Sequence, residues 1–339
     1  MAVTSEPAGP RLIRLSHPLA FAAFLKHIGA PAERFFRRQG LPVLCDDPDV
    51  FVPLQSAWGL FDAATRSEDP MLGWYVGRFV GDHNLNATLL RKLENAPTLY
   101  QALREFIELI GSEASHLRYE IQERRDDILL VMHYPDMKGV RGYAVSQAYQ
   151  IEVVLSLFRH FIGQHWYPEE VGLECAAIPL EVRDRLPGTR VLTGQRTGYI
   201  AIPRACLHLA ARRNETDDVV DDDVGDSLVM ADQLSYVDTL KSLLQTYLAD
   251  GYPTEKLAAR LMDTSERTLT RRLSSYGFTY LKLLDEVRFE KARELLCDED
   301  MRIEDIANTV GFSDPSHFAR MFRRVGGLSP TEFRKLTRS

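Results

Sequence analysis

The sequence predicts an α+β N-terminal domain followed by an all-α domain in which a long helix joins two helix-turn-helix units. Three observations carry this. A pattern of two short amphipathic helices separated by a turn occurs twice near the C-terminus. A stretch without Pro or Gly, Thr279 to Leu296, separates the two copies. The first two hundred residues mix helical periodicity with short alternating stretches, then give way to an acidic run. A length of 339 residues fits two domains better than one. The expected boundaries are an N-terminal domain over 1–213, a linker over 214–233 and a C-terminal domain over 234–339.

The second copy of the pattern spans 302–326. Ile303, Ile306, Ala307 and Val310 stand at helical spacing, and Gly311 permits a sharp turn. Asp314 caps the next helix, with Pro315 in its first turn, where a missing N–H costs nothing. Phe318, Phe322 and Val325 mark the inner face of that helix. Ser316, His317, Ala319, Arg320, Arg323 and Arg324 are left outside. Gly326-Gly327 ends the helix, and Ser329-Pro330 starts a last short one. An ordinary helical hairpin with a solvated Arg face is the plain alternative.

That alternative weakens because the unit recurs over 254–277. Leu257, Ala258 and Leu261 form its first stripe, Asp263-Thr264-Ser265 supplies turn and cap, and Leu269, Leu273 and Tyr276 form its second. Arg267, Thr270 and Arg271 lie outside. The spacer over 279–296 has Leu281, Leu284, Val287, Ala292, Leu295 and Leu296 as apolar positions. It should be one helix of roughly 17 residues, about 26 Å long. Such a rigid spacer suits two recognition helices placed in successive major-groove segments about 34 Å apart.

The run G-F-S-D-P-S-H-F-A-R-M-F-R-R-x-x-G-x-S-P-x-x-F-R, Gly311 to Arg334, resembles the signature of AraC/XylS-type bacterial transcription regulators. Ser265 to Leu273, S-E-R-T-L-T-R-R-L, resembles the first recognition helix of the same module. The resemblance covers roughly the last hundred residues. It implies a seven-helix DNA-binding domain that reads two adjacent major grooves from one protomer. The N-terminal part resembles the arabinose-binding-type domain of a subset of these regulators, which includes ornithine-utilisation-type regulators. The features that carry this are its length, the helix over Thr98–Ile110, the strand pair after it, and Val191–Pro203. Despite the name no sugar is implied; effector sensing, dimerisation or both are. A cupin-like barrel is not suggested, because the first hundred residues read mostly as helix.

Along the N-terminal domain, two short helices are expected in Ala20–Gln39, broken by Gly29-Ala30-Pro31. Leu41–Pro53 is irregular, with three prolines. Gln55–Arg66, Met71–Val80, Leu85–Glu94 and Thr98–Ile110 read as helices. His116–Gln122, Ile128–Tyr134, Val171–Ala176 and Gly198–Ile202 read as strands. Tyr143–Gln164 is long and apolar on much of its surface, and is either a central core helix or a helix that packs against a second copy. Asn214–Asp226 holds seven acids and no Lys or Arg, as a solvated linker does.

Net charge is −7, yet from Thr254 onward 16 Lys and Arg face 14 Asp and Glu, a balance of +2. Non-specific DNA affinity should therefore be modest. Catalysis finds no support: there is no Gly-x-Ser-x-Gly elbow, phosphate loop or Gly-x-Gly-x-x-Gly. His160 and His165 are five apart, not the three or four that align two ligands on a helix. Cys45, Cys175, Cys206 and Cys297 fit neither a zinc site nor a disulfide framework, so neither metal nor cofactor is expected. No apolar run approaches a membrane span, and the expected location is the cytoplasm.

The expected function is sequence-specific, effector-responsive transcription regulation. The alternatives are a ligand-independent regulator, governed by abundance or a protein partner, and an enzyme with an appended DNA-binding domain. Expected partners are double-stranded promoter DNA, a small-molecule effector, a second copy of the chain and RNA polymerase. Arg267, Thr270, Arg271, Ser316, His317 and Arg320 should face bases. Arg272, Arg323, Arg324, Arg334 and Lys335 should meet phosphates.

Overall fold

A computed structural model describes residues 10–82, 93, 95–115, 117–134, 139–211, 234–297 and 301–337. In chain order the first elements are β1 Leu12–Arg14, α1 Ser16–His27, α2 Ala32–Gln39, β2 Phe51–Pro53, α3 Leu54–Ser67, α4 Leu72–Asp82 and α5 Leu99–Glu113. Next come β3 Arg118–Glu123, β4 Asp127–His133, α6 Tyr143–Ile162, β5 Glu170–Gly172, α7 Val182–Arg185, β6 Arg190–Leu192 and β7 Gly198–Pro203. The remaining elements are all helices: α8 Tyr236–Thr246, α9 Glu255–Leu261, α10 Glu266–Ser275, α11 Tyr280–Leu296, α12 Ile303–Thr309, α13 Pro315–Gly326 and α14 Pro330–Thr337. The chain thus has an α+β part followed by an all-α part, as the sequence predicts. Leu85–Glu94, apart from Leu93, and the acidic run Asn214–Asp226 lie outside the described residues.

Two compact units form. One holds the described residues of Leu12–Gln39 and Gln55–Asp232; the other holds those of Met1–Arg11, Gly40–Leu54 and Gln233–Ser339. The second unit therefore gathers three separate stretches of chain, two of which fall within the 1–213 stretch.

In the first unit a five-stranded sheet has the order β3-β4-β7-β5-β6. It is antiparallel except for the β5–β6 pair. Burial alternates over the first half of β4, with Ile128 and Leu130 inside, and then becomes continuous at Val131 and Met132. Strand β6 is only three residues long and escapes a period-2 reading. Helix α6 lies against this sheet. The Tyr119 hydroxyl donates to Gln150 Oε1 at 3.4 Å, and the Glu174 N–H donates to Gln147 Oε1 at 3.0 Å.

Helix α6 is also buried on the side away from the sheet, where α4 packs against it. Gly73, Gly77 and Gly81 recur every four residues along α4 and let the two backbones meet. A Cβ on Gly73 would lie 2.6 Å from the Val145 carbonyl oxygen. One on Gly77 would lie 2.6 Å from Glu152 Cβ and 2.7 Å from the Tyr149 carbonyl oxygen. One on Gly81 would strike the Ser156 hydroxyl. Glu152 and Arg159 form an ion pair at 3.4 Å within this packed region, each side chain 2% exposed. Burial pushes the Glu152 carboxyl up and the Arg159 guanidinium down, because each charge loses water. Tyr143–Gln164 is thus the central core helix, and pairing of two chains through its apolar face is corrected: that face is already covered within its own unit.

In the second unit, the β2 stretch docks on α8. The backbone N–H groups of Val43 and Leu44 donate to the two carboxylate oxygens of Asp250, each at 2.8 Å. The Tyr247 hydroxyl donates to the Gly40 carbonyl at 2.8 Å, and the Thr246 hydroxyl donates to the Phe51 carbonyl at 3.2 Å. Further along, α12 and α13 close a core of Ala292, Leu296, Ile306, Ala307, Val310, Phe318, Met321 and Phe322. Phe289, Phe312 and Phe333 pack on its rim.

Two stability outcomes follow from this packing. Gly77→Ala should destabilise the chain by about 1–3 kcal/mol, since the added methyl meets backbone rather than a movable side-chain end. Urea unfolding reads this, and an unchanged midpoint would show that α4 and α6 separate freely. Phe322→Ala should cost about 3–5 kcal/mol through the cavity it leaves in a fully buried core. A thermal melt within a degree of the parent would contradict that placement.

Candidate nucleic-acid interface

The two helix-turn-helix units are set by local chemistry. Thr254 caps α9 and Ser265 caps α10, their hydroxyls accepting from Leu257 N and Thr268 N, both at 3.2 Å. Between them Asp263 takes φ 49°, and the Thr264 N–H reaches back to the Ala259 carbonyl at 2.9 Å. The second unit repeats this, with Gly311 at φ 80° and the Phe312 N–H on the Ala307 carbonyl at 2.8 Å. Asp314 caps α13 through the Ser316 N–H at 2.8 Å. That N–H, with smaller contributions from the charges of His317 and Arg320, holds the Asp314 carboxyl below its usual range. Gly327, at φ 79°, ends the helix. Ser329 and Glu332 then form a capping box for α14: Ser329 N–H donates to Glu332 Oε2 at 2.7 Å, and Glu332 N–H donates to Ser329 Oγ at 3.3 Å.

These caps fix which faces point out. On α10, Leu269 and Leu273 are buried, while Arg267, Thr270 and Arg271 are exposed. On α13, Phe318, Met321 and Phe322 are buried, while Ser316, His317, Arg320 and Arg323 are exposed. Lys335 is exposed on α14. The stripes differ from the expected ones at three positions. Val325 and Tyr276 are exposed, and Met321 fills the place expected for Val325. Tyr276 stacks instead on Tyr236 of α8, 6.2 Å between centroids. Leu281, one of the apolar positions of the spacer, is 61% exposed. The spacer itself, α11, is capped by Thr279 and runs unbroken for 17 residues.

Several predicted site residues have partners that spacing does not reveal. The Thr270 hydroxyl lies 2.6 Å from Glu255 Oε1 and 2.8 Å from the Glu266 carbonyl, so its proton is held inside the unit. Its free capacity is that of an acceptor. The Arg272 guanidinium sits over the Tyr236 ring at 5.1 Å. Arg324 pairs with Asp285 of the spacer. Arg334 is turned in, with its Nε and Nη2 buried and without hydrogen-bond partners among the described residues. His317 Nε2 approaches Asp314 Oδ2 at 3.6 Å. Glu255 and Asp285 are thus members of the surface that sequence reading missed; nothing in their spacing marks them.

No group of three or more His, Cys, Asp or Glu among the described residues is placed to hold a metal ion. No described helix is long and apolar enough to cross a membrane.

Residues 258–336 match the model of a helix-turn-helix domain. Residues 29–211, over half of the chain, match the model described as the arabinose-binding domain of AraC transcription regulator, N-terminal. The HTH-type transcriptional regulator VqsM of Pseudomonas aeruginosa is 37% identical over 87 residues, 26% of this chain and 27% of that one. The ornithine utilization regulator of the same species is 40% identical over 84 residues, 25% of each chain. The match therefore spans about a quarter of these curated relatives. Among solved structures, the transcriptional regulator CdpR from Pseudomonas aeruginosa aligns over 89% of this chain and 96% of its own, at 19% identity and a TM-score of 0.37. On the extent of the N-terminal match, together with the helix-turn-helix match that follows it, the chain belongs to the AraC family of transcription regulators.

Proposed function

We propose that the chain binds promoter DNA through its two helix-turn-helix units, and that its N-terminal unit makes this binding responsive to a small molecule. The observation that carries the first half is the pair of outward faces, Arg267 and Arg271 on α10 and Ser316, His317 and Arg320 on α13, each opposite a buried stripe. Arg suits bidentate contact with guanine, while Ser and His donate or accept at several base edges. Thr270 joins them as an acceptor. Arg323 and Lys335 are the best placed of the expected phosphate contacts, because both are exposed. Arg324, Arg272 and Arg334 first have to leave Asp285, the Tyr236 ring and a buried setting respectively. The second half is supported by the arabinose-binding description of the matched N-terminal model. A small molecule there acts by stabilising one of two states of the chain. Pairing of chains through the apolar face of Tyr143–Gln164 is not part of this mechanism.

Arg320→Ala should lose about 1–3 kcal/mol on a cognate site and relax preference at one base pair. Arg323→Ala should weaken cognate and random duplexes alike and lower the salt slope by about one. Both should melt within about 0.5 kcal/mol of the parent, as surface substitutions do. Binding titrations at several salt concentrations decide this, and cognate affinity unchanged in Arg320→Ala would remove α13 from base reading. A compound screen by thermal shift on the full chain tests the effector. At a hundredfold excess over its dissociation constant a bound molecule adds about 2.7 kcal/mol. A screen of small metabolites with no stabiliser, beside intact DNA binding, would leave a regulator without a ligand.

A further inference from the structure

Arg288 stands midway along α11 and is 4% exposed. Its guanidinium carbon lies 4.7 Å from the ring centroid of Tyr252 and 4.3 Å from that of Phe312. Tyr252 belongs to the loop that leads into α9, on the side of the first helix-turn-helix unit. Phe312 follows the turn residue Gly311 of the second. The same guanidinium donates from Nη2 to the Gly311 carbonyl at 3.1 Å. The two halves also approach backbone to backbone here: a Cβ on Gly311 would lie 3.1 Å from the Gly251 carbonyl oxygen. One cation is thus in contact with an aromatic ring from each half and bonded to the turn that launches α13.

A guanidinium suits this place because it is flat and can stack on rings while still directing an N–H in its own plane. An ammonium is a compact point charge and cannot do both. The spacer α11 carries both units, and any rotation of one against the other must slide the Tyr252 loop past the Phe312 turn. Arg288 resists that slide. We propose that Arg288 is the positioning residue that fixes the separation and angle of the two recognition helices, and so sets the spacing between two DNA boxes that the chain accepts. This rests on the DNA-binding function proposed above.

One base pair inserted between two boxes moves the second by about 3.4 Å and about a tenth of a helical turn. A rigid pair of helices rejects that shift and a loosened pair tolerates it. The test uses the full chain. A two-box duplex is first selected by the parent from a randomised pool. Affinity is then measured for that duplex, for the same duplex with one inserted base pair, and for one with a single box scrambled. The parent should lose roughly tenfold on the inserted duplex, comparable to a mismatched base pair. Arg288→Lys should lose less than about threefold on that duplex, since charge remains and the stacked plane does not. A purely structural role would instead lower the melting temperature and weaken all three duplexes in proportion, leaving the spacing ratio intact. That result, or an unchanged ratio at unchanged stability, overturns the proposal. Should Arg288→Lys fail to fold, Phe312→Leu decides in its place, removing one ring of the clasp and reading the same ratio. A parent chain that selects no two-box duplex overturns the DNA-binding function itself, a failure distinct from that of Arg288.

Discussion

Both outward faces depend on one backbone constraint. Between the two helices of each helix-turn-helix unit, the chain must pass through a residue of left-handed conformation. Asp263 meets it at φ 49° and Gly311 at φ 80°. For an ordinary L-residue this region costs roughly 1–2 kcal/mol, and short polar side chains are among the few that tolerate it. Without the reversal, α9 or α12 would run on, and the following helix would not return to cover its own apolar stripe. At Gly311 the constraint is doubled. The angle favours glycine, and the Gly251 carbonyl and the Arg288 guanidinium leave no ordinary room for a side chain. A side chain at Gly311 is therefore disfavoured both by its backbone angle and by its neighbours.

Much of the fold was legible in the sequence, and the reasons are local. Ser265 and Asp314 act as the caps that the sequence predicts, and Thr98 opens its helix. The periodicity of α10, α11 and α13 marks their extents, and the alternation of β4 marks that strand. What periodicity does not resolve is the edge of a stripe. Met321 and Val325 stand one turn apart on α13, yet Met321 joins the buried core and Val325 is exposed. The same holds for Leu281 at the start of α11. Partners distant in sequence are harder still. Glu255 reaches Thr270 across fifteen positions and Asp285 reaches Arg324 across thirty-nine. No one-dimensional pattern connects such pairs. The glycines of α4 were equally silent, since their role depends on a helix seventy residues away.

The charge of the C-terminal part also changes meaning once its partners are known. A balance of +2 from Thr254 onward understates how unevenly the cations are available. Arg302 is held by Asp305 at 2.8 Å, Arg324 by Asp285, and Lys241 of α8 by Glu286 at 3.1 Å. Arg288 is buried, and burial lowers its affinity for a proton. The exposed cations of α10 and α13 therefore stand beside several cations that are already paired or buried. Such a surface favours a few directed contacts over a broad electrostatic attraction.

The discontinuous make-up of the C-terminal unit bears on how such a chain can be rearranged by recombination. A crossover in the acidic run does not deliver a self-contained module to a new sensor. It would leave Gly40–Leu54 behind. The Asp250 carboxylate would lose the Val43 and Leu44 amides, and the Tyr247 and Thr246 hydroxyls would lose their carbonyl acceptors. A transplanted 234–339 segment therefore arrives with one flank of α8 unfinished, and inheritance of the helix-turn-helix pair is tied to inheritance of a short piece two hundred residues upstream.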